Sequence, residues 1–243
     1  MSVRPYKKKS DNKKVQLKSM FNQIAHSYDF LNHFLSFGID RYWRNKAVGV
    51  LKEKKDAYIL DVATGTADLA IRARKTLNPR KIIGIDISEK MLEIGLQKIK
   101  KKMIDRIELS YGNSESLIFK DNTFDAVMVA FGVRNFENLE KGLSEIYRVL
   151  APGGKFVVLE FSRPQKFPVR QLYGFYFRQI IPAIGKVISK NSYAYNYLPE
   201  SVFGFPEGDV FMDYLYGTGF VNASCISLTF GIASIYVAFK PQV

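Results

Sequence analysis

The sequence predicts an open α/β sheet of mostly parallel strands with helices packed on its faces. Three observations carry this. Short apolar runs alternate with longer amphipathic stretches, the pattern of βαβ units. The first apolar run ends in a glycine-containing turn, Ala63-Thr64-Gly65-Thr66-Ala67, that leads into a helical stretch. The second ends in a carboxylate, Asp86, 21 residues after Gly65.

The elements follow in order. Leu17 to Leu35 places apolar residues at Leu17, Met20, Phe21, Ile24, Tyr28, Leu31 and Leu35. Steps of three and four predict an amphipathic helix, with a break expected near Asp29 to Asn32. Arg41 to Leu51 continues helically. Ala57 to Val62 reads as the first strand and Ala67 to Leu77 as a helix that ends before Asn78-Pro79. Lys81 to Ile87 is the second strand, and Ser88 is placed to cap a helix over Glu89 to Lys102. Ile107 to Tyr111 and Phe124 to Ala130 are the third and fourth strands. Leu139 to Leu150 is helical, closed by Ala151-Pro152-Gly153-Gly154, and Lys155 to Phe161 is the fifth strand. Ser224 to Phe230 and Ile232 to Phe239 flank Gly231 and read as an antiparallel pair at one side of the sheet. Crossovers between parallel strands are expected to be right-handed.

Composition narrows the function. The chain has 243 residues, with 47% hydrophobic and 24% charged, a globular balance that excludes a disordered or collagen-like chain. A single cysteine, Cys225, excludes a disulfide framework and a multi-cysteine metal site, and two histidines leave little for a histidine-based one. No apolar run is long enough to span a bilayer, and Gly219 to Phe239 carries too much Ser, Thr, Asn and Gly for it. No apolar h-region follows the basic N-terminus, so a cytoplasmic location is expected.

The net charge is +13, of which residues 1–18 contribute +6 through Arg4, Lys7, Lys8, Lys9, Lys13, Lys14 and Lys18 against Asp11. These residues read as a mobile basic arm ahead of a single domain over residues 19–243. Such an arm is either a solvated tail or a contact for anionic lipid head groups. Aromatic residues are uneven: 9 of 34 lie in residues 1–60, 7 in 61–160 and 18 in 161–243. This suggests a compact middle whose aromatic flanks enclose something apolar.

Open parallel sheets bind ligands beyond the carboxyl ends of their strands. Gly65 permits a tight turn and a close backbone approach there. Asp86 can accept both hydroxyls of a ribose. Asn113-Ser114, after the third strand, lies where an adenine edge would lie. Only one glycine stands where dinucleotide sites show three. An adenosyl ligand without phosphates therefore fits better than a dinucleotide, and S-adenosylmethionine is such a ligand.

Several segments resemble a known family. They are Met20 to Asp29, Leu31-Asn32-His33, Leu35 to Arg44, Phe131-Gly132-Val133-Arg134-Asn135-Phe136, Tyr147 to Gly154, Leu159 to Pro164, and Tyr195 to Ser201. The chain resembles, along nearly its whole length, the ubiquinone/menaquinone biosynthesis C-methyltransferases, a branch of the class I S-adenosylmethionine-dependent methyltransferases. The resemblance implies a Rossmann-like seven-stranded sheet with one antiparallel strand. It also implies cofactor contacts at Thr66, Asp86, Asn113 and Ser114. Ala63 and Ala67 depart from the usual turn, where glycines stand. Ala130 replaces a serine that contacts the cofactor in some relatives, so no contact is carried over to it.

The implied acceptor is a ring carbon of a reduced prenylated quinone, demethylmenaquinol above all, which becomes nucleophilic when a neighbouring hydroxyl loses its proton. Arg134 is placed to stabilise that oxygen and Asn135 to orient it, and both are taken as catalytic. The structural alternative is that Arg134 pairs with an acid such as Glu160. His26, His33, Tyr28 and Asp29 are candidate general bases that could equally be packed or capped. Trp43 reads as a core anchor. The run Tyr173 to Phe177, then Ile180 to Ile184, with Tyr193, Tyr195 and Tyr197, either walls an isoprenoid groove or packs on the sheet. The expected partners are a lipophilic quinol and an anionic membrane surface touched peripherally, with a homodimer left open. A ubiquinone precursor or another lipophilic phenol is the alternative acceptor. A nucleic acid fits less well, because the charge outside residues 1–18 is only +7 and no base-holding motif is present.

Overall fold

The computed structural model describes residues 3–6, 11–54, 56–181, 183 and 192–242, with the backbone alone for Ser192, Tyr193 and Tyr195. Seven strands form one sheet: β1 (Tyr58–Val62), β2 (Lys81–Asp86), β3 (Ile107–Tyr111), β4 (Phe124–Ala130), β5 (Leu150–Phe161), β6 (Val221–Leu228) and β7 (Ala233–Phe239). Their order is β3-β2-β1-β4-β5-β7-β6. β1 pairs in parallel with both β2 and β4, and β7 runs antiparallel to both β5 and β6. The expected single antiparallel strand is thus β7. The strand order reverses between β1 and β4, and the crevice beyond Val62 and Ala130 is the place where such sheets take ligands.

The helices are α1 (Lys13–Leu35), α2 (Ile39–Gly49), α3 (Asp68–Leu77), α4 (Glu89–Lys101), α5 (Leu139–Val149), α6 (Val169–Phe175), α7 (Ser192–Phe203) and α8 (Asp209–Thr218). Three begin on side-chain caps: Asn12 accepts from Val15 N–H, Ser88 from Met91 N–H and Asn138 from Lys141 N–H. α6 runs on as a π-helical turn, Tyr176–Ile180.

Successive residues of a strand face opposite sides, so Ile59 and Leu60 enter different cores. One core joins Ile59, Ile82, Met128 and Val157 to Trp43 and Ala70. The other joins Leu60, Val127 and Val158 to Leu143, Ile146 and Phe211. A third apolar cluster joins Leu17, Met20, Ile24 and Leu31 of α1 to Tyr173, Phe177 and Tyr197. The two aromatic flanks of the chain meet in it.

Three expectations are corrected. α1 starts at Lys13 rather than Leu17, so residues 13–18 are helical and not part of an arm. It is unbroken near Asp29, because tertiary hydrogen bonds to Asp29 and His33 hold that stretch helical. β5 starts at Leu150, with Pro152-Gly153-Gly154 inside it where the register against β4 shifts. Lys7, Lys8 and Lys9, and Pro182 and Ile184, lie outside the described residues.

Candidate active site

Two cavities meet beyond the carboxyl ends of β1, β2 and β4. The smaller, of about 80 Å³, is lined by the turn residues Ala63 and Gly65, by Asp86, by Gly112, Asn113 and Ser114, and by Asn135. Lys14, Leu17 and Phe21 of α1 close it from outside. The larger, of about 620 Å³, lies between α1, α2 and α6 and has an almost wholly apolar wall. Arg134 is among its few charged lining residues. Phe21, Tyr28 and Phe131 line both cavities and form the wall between them.

The turn after β1 is left-handed at three places: φ is 54° at Ala63, 56° at Gly65 and 65° at Ala67. The alanines that replace the usual glycines thus keep the backbone of glycine, at some conformational cost. Asp86 accepts from the backbone N–H of Gly65 at 2.9 Å and of Ser88 at 2.8 Å, one on each oxygen. The Ile87 backbone bonds it too, which leaves part of its acceptor capacity for a ligand. Burial nevertheless pushes this carboxyl up to about 6. Burial also raises Asp61, behind it in β1, to about 7, although Thr64 Oγ1 donates to it at 2.6 Å.

The lining of the small cavity sets what it can hold. Asp86, Glu115 and Glu137 face it against Lys14, which leaves no cation cluster for a pyrophosphate. A cationic sulfonium beside a ribose suits this field. An adenosyl sulfonium therefore fits the residues present: a carboxylate with spare acceptor sites, the Asn113 amide, the Ser114 hydroxyl and an open backbone at Gly65.

Asp86, Asn113, Ser114 and Asn135 come together on this cavity. Thr66 does not line it. Its hydroxyl is buried, donates to Asp29 Oδ1 at 2.5 Å and accepts from Lys98 Nζ at 3.0 Å. Arg134 and Asn135 sit on a 3₁₀ turn, Val133–Asn135, and face different cavities. The Arg134 guanidinium donates to Glu160 Oε1 at 2.8 Å, to Ser201 Oγ at 3.3 Å and to the Phe131 carbonyl. Glu160 is 0% exposed, and burial raises its carboxyl while Arg134 opposes that rise. The Arg134–Glu160 pair anticipated as the alternative is therefore present, and the arginine still borders the large cavity. Asn135 Oδ1 accepts from the Tyr197 hydroxyl at 2.9 Å.

The comparisons with known proteins agree with this geometry. Residues 7–240 match the model of the ubiE/COQ5 methyltransferase family. The chain belongs to the ubiE/COQ5 methyltransferase family. The demethylmenaquinone methyltransferase of Bacteroides fragilis is 47% identical, with 98% of this chain and 97% of that protein aligned. The ubiquinone/menaquinone biosynthesis C-methyltransferase UbiE of Geotalea daltonii is 45% identical over 96% of this chain and 99% of its own. Among solved structures, a S-adenosylmethionine-dependent methyltransferase of Thermotoga maritima superposes with a TM-score of 0.64 at 19% identity, covering 92% of this chain and 99% of that one. At that identity the likeness concerns the fold.

In this ubiE/COQ5 family member the candidate bases are dispersed. His26 is exposed. His33 Nδ1 lies 2.8 Å from Asp40 Oδ2, in a network with Arg44 and Ser36. Asp29 is held by Thr66 and Lys98. Tyr28 stands in the wall between the cavities, its phenol held above the usual range by burial. Trp43 is buried, donates to Thr229 Oγ1 at 2.7 Å and borders the large cavity. Tyr173, Phe175, Tyr176, Phe177 and Tyr197 wall that cavity, as the groove reading anticipated. Sequence reasoning missed Lys13, which reads as one cation of an arm; a lysine one turn ahead of the Leu17 stripe was its only signal.

Proposed function

We propose that this protein transfers a methyl group from S-adenosylmethionine to a ring carbon of a prenylated quinol, with demethylmenaquinol as the acceptor and menaquinol as the product. The observation that carries the reading is the pairing of cavities. A small polar one suited to an adenosyl sulfonium adjoins a large apolar one suited to an isoprenoid ring and tail, with one wall between them. The near full-length likeness to demethylmenaquinone methyltransferases supports the choice of ring.

When bound, S-adenosylmethionine supplies an electrophilic methyl group whose bond to sulfur breaks as the new carbon–carbon bond forms. Asp86 holds the ribose hydroxyls. Asn113 and Ser114 hold the adenine edge. Thr66 supports this site from behind through Asp29 of α1. Because Lys14, Leu17 and Phe21 cover the small cavity, the start of α1 must shift to admit the ligand.

Acceptor activation falls to Arg134 and Asn135. A ring hydroxyl that loses its proton puts charge on an oxygen and on the carbon beside it. The Arg134 guanidinium, fixed by Glu160, stabilises that oxygen. Asn135, fixed by Tyr197, orients the ring from the small-cavity side of the shared wall. The hydroxyl proton is released to solvent, and after transfer the ring carbon's proton passes by way of solvent to that oxygen, so that aromaticity returns. The apolar wall keeps water from competing for the methyl group.

The test has two parts. Cells lacking the protein should accumulate demethylmenaquinone, and the purified protein should transfer a labelled methyl group to a reduced demethylmenaquinone analogue. An unchanged quinone profile rejects the pathway. Accumulation of an unmethylated ubiquinone precursor replaces the acceptor while keeping the chemistry.

A further inference from the structure

The mouth of the large cavity has a composition that the reaction alone does not require. Phe37, Leu172 and Phe175 line the cavity, yet they are 81%, 66% and 61% exposed. Ile39 is both lining and exposed as well. The Phe37 ring lies 6.3 Å from that of Tyr176, so the lip contributed by the α1–α2 junction touches the lip contributed by α6 and its π-helical extension. Large apolar side chains that face both a cavity and solvent form a continuous apolar path from the interior to the surface, and such patches mark a contact.

The charge around this lip has one sign. Between Phe34 and Lys46 the only acid is Asp40, which is buried and paired with Arg44. Between Arg163 and Ile181 there is no acid. Arg41, on the first turn of α2, and Lys166 and Arg170, at the start of α6, are exposed and have no ion-pair partner among the described residues. An apolar lip ringed by unpaired cations matches an anionic lipid surface, where rings enter the acyl boundary and cations meet phosphates. It matches a second copy of this chain poorly, because the same cations would then face each other.

We propose that this lip is the docking face of the protein on an anionic phospholipid bilayer, and that the large cavity opens directly into the lipid. This deepens the quinol reading and rests on it for the cargo, since a prenylated ring would then pass from bilayer to cavity without crossing water. It also separates membrane contact from the basic N-terminus, to which the sequence alone assigned it. No helix of the described residues is long and apolar enough to cross a membrane, so the contact is peripheral.

The experiment is vesicle sedimentation with the full chain, using phosphatidylcholine vesicles with and without phosphatidylglycerol and no quinone in either. Binding should require phosphatidylglycerol and weaken with salt. The double charge reversal Arg41→Glu with Arg170→Glu should weaken it by about tenfold or more, with the melting temperature and S-adenosylmethionine binding unchanged. Phe37→Ser with Leu172→Ser should weaken it comparably. Deletion of residues 1–10 should leave most of the binding in place. The proposal is overturned if the protein does not bind either vesicle, if only the deletion abolishes binding, or if the lip variants instead dissolve a dimer seen by light scattering. Because the vesicles hold no quinone, a failure here is distinct from a failure to methylate a quinol.

Discussion

The ammonium of Lys13, in the first turn of α1, donates a 2.7 Å hydrogen bond to the carbonyl oxygen of Phe136, on the loop that carries Arg134 and Asn135. The same ammonium reaches the Arg134 carbonyl at 3.3 Å, and the Lys13 backbone N–H donates to Glu137 Oε1 at 3.1 Å. The helix that covers the small cavity is thereby tied to the loop that borders both. Burial lowers this lysine to about 8, with Glu115 and Glu137 opposing the fall. The sign follows. The unfolded chain binds the proton more tightly, so folding stability rises as pH climbs from about 8 towards 10.5, by up to about 3 kcal/mol. Lys13→Met should flatten that part of the stability–pH curve in denaturant titrations. It should also lower kcat by roughly tenfold through loosening of the loop. A variant whose curve matches the wild type would remove Lys13 from this role.

Arg134→Lys separates a fixed guanidinium from a general positive charge. The arginine serves Glu160, Ser201 and the Phe131 carbonyl at once, and a lysine ammonium cannot span all three from one position. The expected loss in kcat is about 10- to 100-fold with S-adenosylmethionine affinity unchanged, as steady-state kinetics and calorimetry would record. Near-normal turnover with lysine would leave Arg134 as a structural partner of Glu160.

Asp86 gives a prediction in acid. Its carboxyl stands near 6 in the free protein, raised by burial, so it takes up a proton as pH falls below that value. A protonated carboxyl loses an acceptor for the ribose. The affinity for S-adenosylmethionine should decline below pH 6 and should be steady above it. The raised value also means that the folded chain binds this proton more tightly than the unfolded one, so this group costs stability as pH rises from about 4 to 6. Asp86→Asn should remove both dependences and weaken binding by about tenfold or more, because an amide cannot accept from both sides. Retained affinity in that variant, measured by calorimetry, would place the ribose elsewhere.

The sheet was legible because its strands are short apolar runs between unmistakable turns. β3 and β4 have the bounds that periodicity alone suggests, and the others differ by a few residues at their ends. β5 begins at Leu150 although Pro152-Gly153-Gly154 is usually a stop signal, because a register shift against β4 absorbs it. That Asp86, Asn113 and Ser114 line one cavity was legible because they stand at strand ends. Lys13 was not. Its role depends on a loop more than a hundred residues away, and a lysine in a basic stretch ordinarily means solvent. The same holds for the α1 stretch around Asp29, whose helical state depends on Lys98 and Thr66 from other elements.

Thr66 is where local pattern and tertiary structure disagree most, and a double-mutant cycle decides between them. The family resemblance implies a direct cofactor contact for it. Its hydroxyl instead joins Asp29 of α1 to Lys98 of α4, and Lys98 also pairs with Asp68 at the start of α3. If the hydroxyl works through Asp29, then Thr66→Val and Asp29→Ala remove the same link. Each alone should cost about 1–3 kcal/mol of stability, since a buried partner is left unsatisfied. Together they should cost less than the sum, with a coupling of about 0.5–3 kcal/mol in urea titrations. S-adenosylmethionine affinity should fall only a few-fold and equally in both single variants, as the cover over the small cavity loosens. A Thr66→Val protein of unchanged stability that loses the cofactor would restore the direct contact, because α1 would then be in place and only the hydroxyl missing.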